Sequence, residues 1–379
     1  MNTHIFSEES FRTHMDTDVA AWKAEHLKKE WFTGVDGADL YAKYALNPQK
    51  KGTVVFVHGF TEFTDKYLEV LYYFYNEGYS VFIYDQQGHG HSTRYVDEVH
   101  LVHVQSFVRY AEDLSIFMDT VVKPKAGSGP YFLFGHSMGG CISALYLEKH
   151  PKVFNAAVLS SPMLKLSFGY LPHFAAKAYA ALTKSTGREK LPAPGAAPFN
   201  KTPDFENSYT TSKARYQWVH ELQSADTDYQ TTSATCGWVY GALRAIEALQ
   251  KNSDQATLPI LICQAGLENL VDNEGQRVFA EHAPNAKLVR IENAKHEIFL
   301  SSSDVLDEYY RTIFDFLSSF CTHEGEGSGT FMLLPGHLLC LPAIPLLQST
   351  KLIFDSLSTL HASHVSFGCC LRHCLSKCS

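Results

Sequence analysis

Short runs of apolar residues alternate with amphipathic stretches along most of this chain. Runs of β-branched, aromatic and aliphatic residues predict buried strands, and apolar residues at helical spacing predict helices. The predicted strands are 54–57, 80–84, 131–134, 156–160, 260–264 and 287–291, and the predicted helices that alternate with them are 66–76, 106–122, 141–150, 236–249, 273–282 and 304–320. Strands and helices that alternate at this spacing form βαβ units, so we expect an α/β fold with a mostly parallel central sheet and helices on both faces.

The alternation is interrupted once inside the chain and once near its end. Prolines scattered among Gly, Ala, Thr and Lys follow the strand 156–160, and a Gly-rich acidic stretch follows the last helix. We therefore expect five segments. They are a polar lead-in at 1–30, the first part of the α/β core at 31–161, an inserted cap of helices and loops at 162–235, the second part of the core at 236–320, and a C-terminal tail at 321–379.

Composition narrows the class of protein. The chain has 379 residues, of which 45% are hydrophobic and 19% charged, as in a globular protein with a sizeable core. Its formal net charge of −8 argues against general nucleic-acid binding, which needs a basic face. Cys141, Cys236 and Cys263 are scattered through the core segments and indicate no disulfide framework. Because the N-terminus also lacks the features of a signal peptide, we expect a cytoplasmic protein.

The tail differs in composition from the rest. Residues 331–347 are apolar, but three prolines interrupt them and make a membrane-spanning helix a poor interpretation. Cys370, Cys374 and Cys378 would share one face of a helix. The tail is a membrane-associating segment, a metal-binding segment or an extension unrelated to catalysis, and we favour the third.

The stretch Gly135–Gly139 has the pattern G-x-S-x-G between a predicted strand and a predicted helix. In this context the chain turns so sharply that the central serine takes up a strained conformation, and the flanking glycines leave room for the crossing chain. The pattern therefore predicts that Ser137 is a nucleophile exposed at the carboxyl end of its strand.

A serine nucleophile needs a base, and the base needs an acid that orients it. His296 lies in the loop after the last predicted strand and is the candidate base. Glu268 and Asp272 both follow the strand 260–264, and either could be the acid. We prefer Glu268, since Asp272 directly precedes a predicted helix and suits the role of its N-cap.

The reaction also needs N–H donors for the oxyanion that develops on the substrate. Met138, which follows the nucleophile at a helix start, and Phe60, which follows a buried strand, are the candidate backbone donors. His89-Gly90-His91 has no ligand set at metal-binding spacing and is interpreted as part of a structural loop. No nucleotide-binding motif is present in a suitable position, so we expect no cofactor and no metal.

Several of these stretches together resemble the motif set of the serine α/β-hydrolases. These stretches are residues 58–62, 85–92 and 135–140. Within that family they are most similar to the monoglyceride lipase and lysophospholipase branch. Residues 264–273 and 296–298 look closest to the bacterial lysophospholipases, in which a Val-Asp-Asn similarly follows the acid.

This resemblance spans about residues 25–320 and favours Glu268 as the acid, because the family's acid precedes the second Asp by four residues. It implies hydrolysis of the acyl ester of a lysophospholipid or monoacylglycerol, without metal or organic cofactor, and a cap that shapes the acyl pocket. Partners would then be the monoacyl lipid and, peripherally, a membrane surface. The alternatives are a small-molecule carboxylesterase on the same fold and a non-catalytic lipid-binding protein.

Overall fold

The computed structural model describes residues 4–167 and 173–321. The predictions made for 322–379 lie outside the described residues. The strands are β1 (Lys28–Thr33), β2 (Asp39–Ala45), β3 (Gly52–Val57), β4 (Tyr79–Tyr84), β5 (Leu101–Val102), β6 (Tyr131–His136), β7 (Ala156–Ser160), β8 (Ser233–Ala234), β9 (Ile260–Ala265) and β10 (Ala286–Ile291).

Helices surround these strands, and most connect one strand of the sheet to the next. They are α1 (Phe11–His14), α2 (Ala20–His26), α3 (Leu68–Asn76), α4 (Phe107–Phe117), α5 (Lys123–Ala126), α6 (Met138–Lys149), α7 (His173–Ser185), α8 (Lys213–Ala225), α9 (Cys236–Asn252), α10 (Asn273–His282) and α11 (Ser303–Ser318). Wider π-helical turns join α1 to α2 and α4 to α5.

Eight strands form one sheet in the order β1-β2-β4-β3-β6-β7-β9-β10. The pairs β1–β2 and β2–β4 are antiparallel, and every other neighbouring pair is parallel. The mostly parallel sheet predicted from the sequence is therefore confirmed. The chain passes from β3 to β4 on one side and later adds β6 on the other side of β3. Ligands bind to such sheets beyond the carboxyl ends of the strands at this kind of switch point.

Both faces of the sheet are buried at its central strands β3, β4, β6, β7 and β9, which explains why these strands are continuous apolar runs. Along β3, Val54 and Phe56 pack into the core on one face, whereas Val55 and Val57 pack into the core on the other. Full burial of one such side chain contributes about 1.5–3 kcal/mol. The central strands are consequently a rigid support for the loops that leave their carboxyl ends.

The structure departs from the sequence prediction at two places in the sheet. The first strand begins at Lys28, inside the segment expected to be a lead-in. It pairs with β2 along its whole length, with Lys28 opposite Tyr44 at one end and Thr33 opposite Asp39 at the other. The short strands β5 and β8 pair in parallel in a separate sheet and were not predicted. Two residues are too few to show an alternating pattern, so this pairing depends on tertiary contacts alone.

The segment between β7 and β9 contains α7, α8, β8 and α9 with long connections. Helix α8 is held to the core by Arg215, whose guanidinium is fully buried and donates to both oxygens of Glu69 on α3 at 2.9 and 2.7 Å. The same guanidinium donates to the Phe6 carbonyl oxygen at 3.0 Å, so the N-terminal segment is tied to both elements. Within the described part of the chain, no helix is long and apolar enough to cross a membrane.

Candidate active site

The turn between β6 and α6 has the strained backbone that the sequence pattern predicts. Ser137 has φ 51° and ψ −116°, in a region that a non-glycine residue rarely occupies. A Cβ on Gly139 would overlap the carbonyl oxygen of Val57, and one on Gly135 would collide with Ser143. Glycine at these two positions therefore lets α6 pack tightly on β3 while the turn holds the serine side chain at the end of the sheet.

Ser137 and His296 meet although 159 residues separate them in the chain. The distance between Ser137 Oγ and His296 Nε2 is 2.8 Å, and the two residues are only 6% and 2% exposed. His296 lies in the loop after β10, whose carboxyl end is at the same edge of the sheet as that of β6. With a proton on Nδ1, the imidazole can accept the hydroxyl proton of Ser137 at Nε2.

Glu268 completes a chain of hydrogen bonds from the serine. His296 Nδ1 donates to Glu268 Oε2 at 2.7 Å, and this carboxylate side chain is fully buried. Burial opposes its ionisation, but the hydrogen bond and charge of His296 and the backbone N–H groups of Leu270 and Val271 outweigh that effect and lower its pKa. A carboxylate held ionised in this position fixes the histidine tautomer and stabilises an imidazolium.

Asp272, the alternative acid, has different partners in the structure. It is the N-cap of α10, where its Oδ1 accepts from the Glu274 N–H at 2.9 Å. Its Oδ2 lies 2.6 Å from the Lys165 ammonium. Of the two acids proposed from the sequence, the structure thus brings Glu268 to His296 and uses Asp272 to begin a helix.

The two candidate oxyanion donors lie at neighbouring strand ends. Val57 at the end of β3 is in register with Gly135 on β6, so the loop that carries Phe60 runs beside the turn that carries Ser137. Met138 is the first residue of α6, where backbone N–H groups have no acceptor within the helix. The Phe60 ring packs at a tilt of 38° against Trp238 of α9 with centroids 4.3 Å apart, which helps to orient the loop.

A buried polar cluster behind this site was missed by the sequence analysis. We call Glu62, Lys66, His136 and Glu297 the buried polar cluster. Glu62 Oε2 accepts from the Gly59 N–H at 2.5 Å and lies 3.2 Å from His136 Nδ1. Lys66 Nζ donates to Glu62 Oε1 at 2.9 Å and to Glu297 Oε1 at 2.6 Å.

Charge within the buried polar cluster is balanced by close pairing. Burial opposes ionisation of Glu62, but the charges of Lys66 and His136 hold its pKa well below the ordinary range. Because Gly59 precedes Phe60, His136 precedes Ser137 and Glu297 follows His296, the cluster ties together the three loops that carry the site. The only sequence sign of it is the spacing of four between Glu62 and Lys66.

The loop around His89 and His91 has mainly structural contacts. His91 Nε2 pairs with Asp226 Oδ2 at 2.9 Å and, with Asp228, offers ligand atoms that all lie within 4.8 Å of one another. These carboxylates come from the connection after α8, so a search for ligand spacing along the sequence could not find them. This contact attaches the connection to the loop after β4.

Comparison with known proteins identifies the family. Residues 48–303, more than half of the chain, match the family model described as serine aminopeptidase, S33. The chain is 29% identical over 309 residues to lysophospholipase L2 of Escherichia coli strain K12, a match that covers 78% of this chain and 89% of the relative. It is 27% identical to the probable lysophospholipase L2 of Haemophilus influenzae, with 78% and 93% covered.

Monoglyceride lipases are also among the similar proteins. The mouse (Mus musculus) enzyme is 25% identical over 297 residues, a match that covers 77% of this chain and 91% of the relative. The solved structure of a soluble variant of monoglyceride lipase from Saccharomyces cerevisiae has a TM-score of 0.63 at 21% identity, with 78% of this chain and 96% of that chain covered, and supports the fold. This chain therefore belongs to the serine aminopeptidase S33 family of α/β hydrolases.

Proposed function

We propose that this protein is a serine hydrolase that cleaves the acyl ester of a monoacyl lipid, a lysophospholipid or monoacylglycerol, through an acyl-enzyme on Ser137. The observation that carries the proposal is the hydrogen-bonded series Ser137–His296–Glu268, with distances of 2.8 and 2.7 Å. The relatives named lysophospholipase and monoglyceride lipase support a monoacyl lipid as the substrate class.

In this mechanism His296 Nε2 removes the proton from Ser137 Oγ as the oxygen attacks the ester carbonyl carbon. The negative charge that develops on the carbonyl oxygen is stabilised by the N–H groups of Phe60 and Met138. The bond between the carbonyl carbon and the glycerol oxygen then breaks, and the imidazolium gives its proton to that oxygen. Water, deprotonated by His296, hydrolyses the acyl-enzyme in the same way. Glu268 keeps its negative charge throughout.

The proposed cap at 162–235 would cover this site and shape the acyl pocket. Helix α7 within it exposes large apolar side chains, with Phe174 77% and Leu182 61% exposed. Lys184 lies on the same helix, as does Lys177, which pairs with Glu247 of α9. An exposed apolar surface beside a cation suits peripheral contact with an anionic membrane. Co-sedimentation with anionic vesicles should therefore weaken in a Phe174→Ser, Leu182→Ser double variant.

A labelling experiment tests the reaction type. An active-site fluorophosphonate should label the wild type and not Ser137→Ala, because the probe reacts with an activated serine. Hydrolysis of monoacyl lipids should disappear in the same variant. Equal labelling of both proteins would contradict the proposal. Activity on short soluble esters that does not rise with acyl-chain length would instead favour a small-molecule carboxylesterase.

A further inference from the structure

Glu62 is the member of the buried polar cluster with the most partners, although it is only 2% exposed. Its Oε2 accepts from the Gly59 N–H at 2.5 Å and from the Tyr67 hydroxyl at 2.6 Å, and its Oε1 accepts from Lys66 Nζ at 2.9 Å. His136 Nδ1, 3.2 Å from Oε2, is the fourth partner. A buried carboxylate held from four directions has a fixed position, so it can in turn fix the groups that bond to it.

The loop after β3 folds back on itself around this carboxylate. Thr61 has φ 62°, a left-handed conformation that a β-branched residue rarely adopts, and its Oγ1 donates to the Phe60 carbonyl oxygen at 2.6 Å. A Cβ on Gly59 would lie 2.8 Å from Glu62 Oε2, so only glycine lets the carboxylate approach its N–H. Strained backbone persists only where its surroundings hold it, and the bond between Glu62 and the Gly59 N–H supplies that hold.

The peptide group between Gly59 and Phe60 is held on its other side by His58. The Gln86 N–H donates to His58 Nε2 at 2.9 Å, so the ring proton is on Nδ1, which donates to the Gly59 carbonyl oxygen at 2.8 Å. In a planar trans peptide the N–H points away from the carbonyl oxygen, and the Phe60 N–H therefore points away from His58. In the part of the chain that the structure describes, no acceptor bonds to this N–H. It is thus aimed by its neighbours and free for an oxyanion.

His136 connects the same carboxylate to the other two loops of the site. It directly precedes Ser137, and its Nε2 lies 3.3 Å from the His296 carbonyl oxygen. Both ring nitrogens thus face acceptors, an arrangement that an imidazolium with a proton on each nitrogen satisfies. Glu62 consequently bonds to the loop of the oxyanion donor directly and to the serine and histidine loops through His136.

We propose that Glu62 positions the oxyanion site: its carboxylate holds the Gly59 N–H and thereby aims the Phe60 N–H. Its pairing with His136 keeps this loop aligned with the turn that carries Ser137. This inference rests on the proposed function, because it assumes an acyl ester that reacts at Ser137. It goes beyond that function because Glu62 acts through the backbone and touches no reacting atom. Its effect belongs to the transition state, in which the carbonyl oxygen becomes negative.

Two variants of Glu62 test the proposal with p-nitrophenyl butyrate and a monoacylglycerol as substrates. Glu62→Gln removes the charge, whereas Glu62→Asp keeps the charge opposite Lys66 but is one CH₂ group too short to hold the Gly59 N–H. Outright removal of an oxyanion donor costs about 10²- to 10³-fold in kcat, so a displaced donor should cost roughly 10- to 100-fold in both variants. KM should stay within about twofold, because the contact matters only when the oxyanion forms. If Glu62→Gln does not fold, Glu62→Asp carries the test.

Two inhibitors separate positioning from a general loss of structure. A trifluoromethyl ketone with the same acyl chain accepts Ser137 Oγ at its carbonyl carbon, the serine proton passes to His296, and the hemiketal oxygen is an oxyanion. A monoalkyl glycerol ether has no carbonyl group and forms no oxyanion. In the Glu62 variants, the Kd of the ketone should rise by about the factor by which kcat/KM falls, while the Kd of the ether should change less than about twofold. Equal weakening of both inhibitors would refute the proposal.

Glu69→Gln is the matched control for stability. Glu69 is also a buried carboxylate with a buried cationic partner, Arg215, but this pair joins α3 to α8. At a temperature at which the variant is folded, its kcat should stay within about twofold of the wild type. A fall in kcat as large as that of the Glu62 variants would attribute their loss to instability and overturn the positioning role.

The remaining outcomes separate this inference from the proposed function. Unchanged kcat in Glu62→Asp, or a raised KM with unchanged kcat, would overturn the positioning role while the proposed function stands. If the wild type hydrolysed p-nitrophenyl butyrate but no monoacyl lipid, the proposed substrate class would fall, and the butyrate kinetics would still test Glu62. If the wild type hydrolysed neither ester, both proposals would fall together.

Discussion

Replacement of Glu268 by glutamine tests how the reactive histidine is held. In the wild type, Glu268 Oε2 accepts from His296 Nδ1 at 2.7 Å, and Oε1 accepts from the N–H groups of Asn269 and Leu270 at 2.9 and 2.8 Å. A glutamine has one carbonyl oxygen, which these backbone donors would hold. Its NH₂ group would then face Nδ1 and oblige that nitrogen to accept.

The ring proton would consequently move to Nε2, which lies 2.8 Å from Ser137 Oγ and could no longer take the serine proton. The imidazolium would also lose its counter-charge. Two unit charges about 4 Å apart at an effective dielectric constant of 20 interact by about 4 kcal/mol. Since each 1.36 kcal/mol changes a rate tenfold, we expect kcat/KM to fall about 1000-fold in Glu268→Gln.

Asp272→Asn is the matched control, measured with the same monoacyl lipid and checked by thermal unfolding. Asparagine caps helices as well as aspartate does, and the ion pair with Lys165 is partly exposed, so its loss costs at most about 1 kcal/mol of stability. We expect activity within about twofold of the wild type, since the side chain bonds to the Glu274 N–H and pairs with Lys165. A large loss in Asp272→Asn with little loss in Glu268→Gln would refute the assignment of the acid.

Three further substitutions test the core and the turn. Burial raises the pKa of Asp113 to about 7 from an ordinary 3.8, so the folded state keeps a proton that the unfolded chain has lost, and stability falls as pH rises from about 4 through 7. Asp113→Asn should therefore be more stable than the wild type at pH 8, by about 2–4 kcal/mol in urea unfolding. Glu69→Gln should lower the free energy of unfolding by about 3–5 kcal/mol, because the buried Arg215 charge loses its main partner. Gly139→Ala should yield little folded protein or at least a 100-fold lower activity, because the added Cβ overlaps the Val57 carbonyl oxygen.

Each of these three predictions has its own control. The stability gain in Asp113→Asn should shrink towards pH 5, and a gain that is independent of pH would contradict the raised pKa. Asp307→Asn, which breaks an exposed pair with Arg311, should change stability by less than about 1 kcal/mol. If Glu69→Gln lowered stability no more than Asp307→Asn does, the buried pair would contribute no more to stability than an exposed one, which would contradict the prediction. Normal stability and activity in Gly139→Ala would contradict the close packing of α6 on β3.

Much of the fold and part of the candidate site could be predicted because the necessary information is local. A strand buried on both faces is a continuous apolar run, and the turn at Ser137 needs glycine at positions fixed by backbone crowding. The residues Ser137, His296 and Glu268 all follow strands, and parallel strands bring their carboxyl ends to one edge. The pattern of strands thus indicated which loops would meet.

The contacts that depend on distant residues could not be predicted. The bond between Arg215 and Glu69 spans 146 positions, and that between Lys66 and Glu297 spans 231. Neither pair has a characteristic spacing, and the pairing of β5 with β8 is too short to show a period. For the partner of His296, the sequence favoured Glu268 but left Asp272 open, since both acids follow one strand.

The sequence by itself thus determined most strands and helices of the core, their order and the type of chemistry, because hydrophobic periodicity and turn geometry act over a few residues. Only the tertiary structure decided which acid faces His296 and how the buried polar cluster joins three loops. These features arise when segments far apart in the chain are packed against one sheet, and local patterns carry no record of that packing.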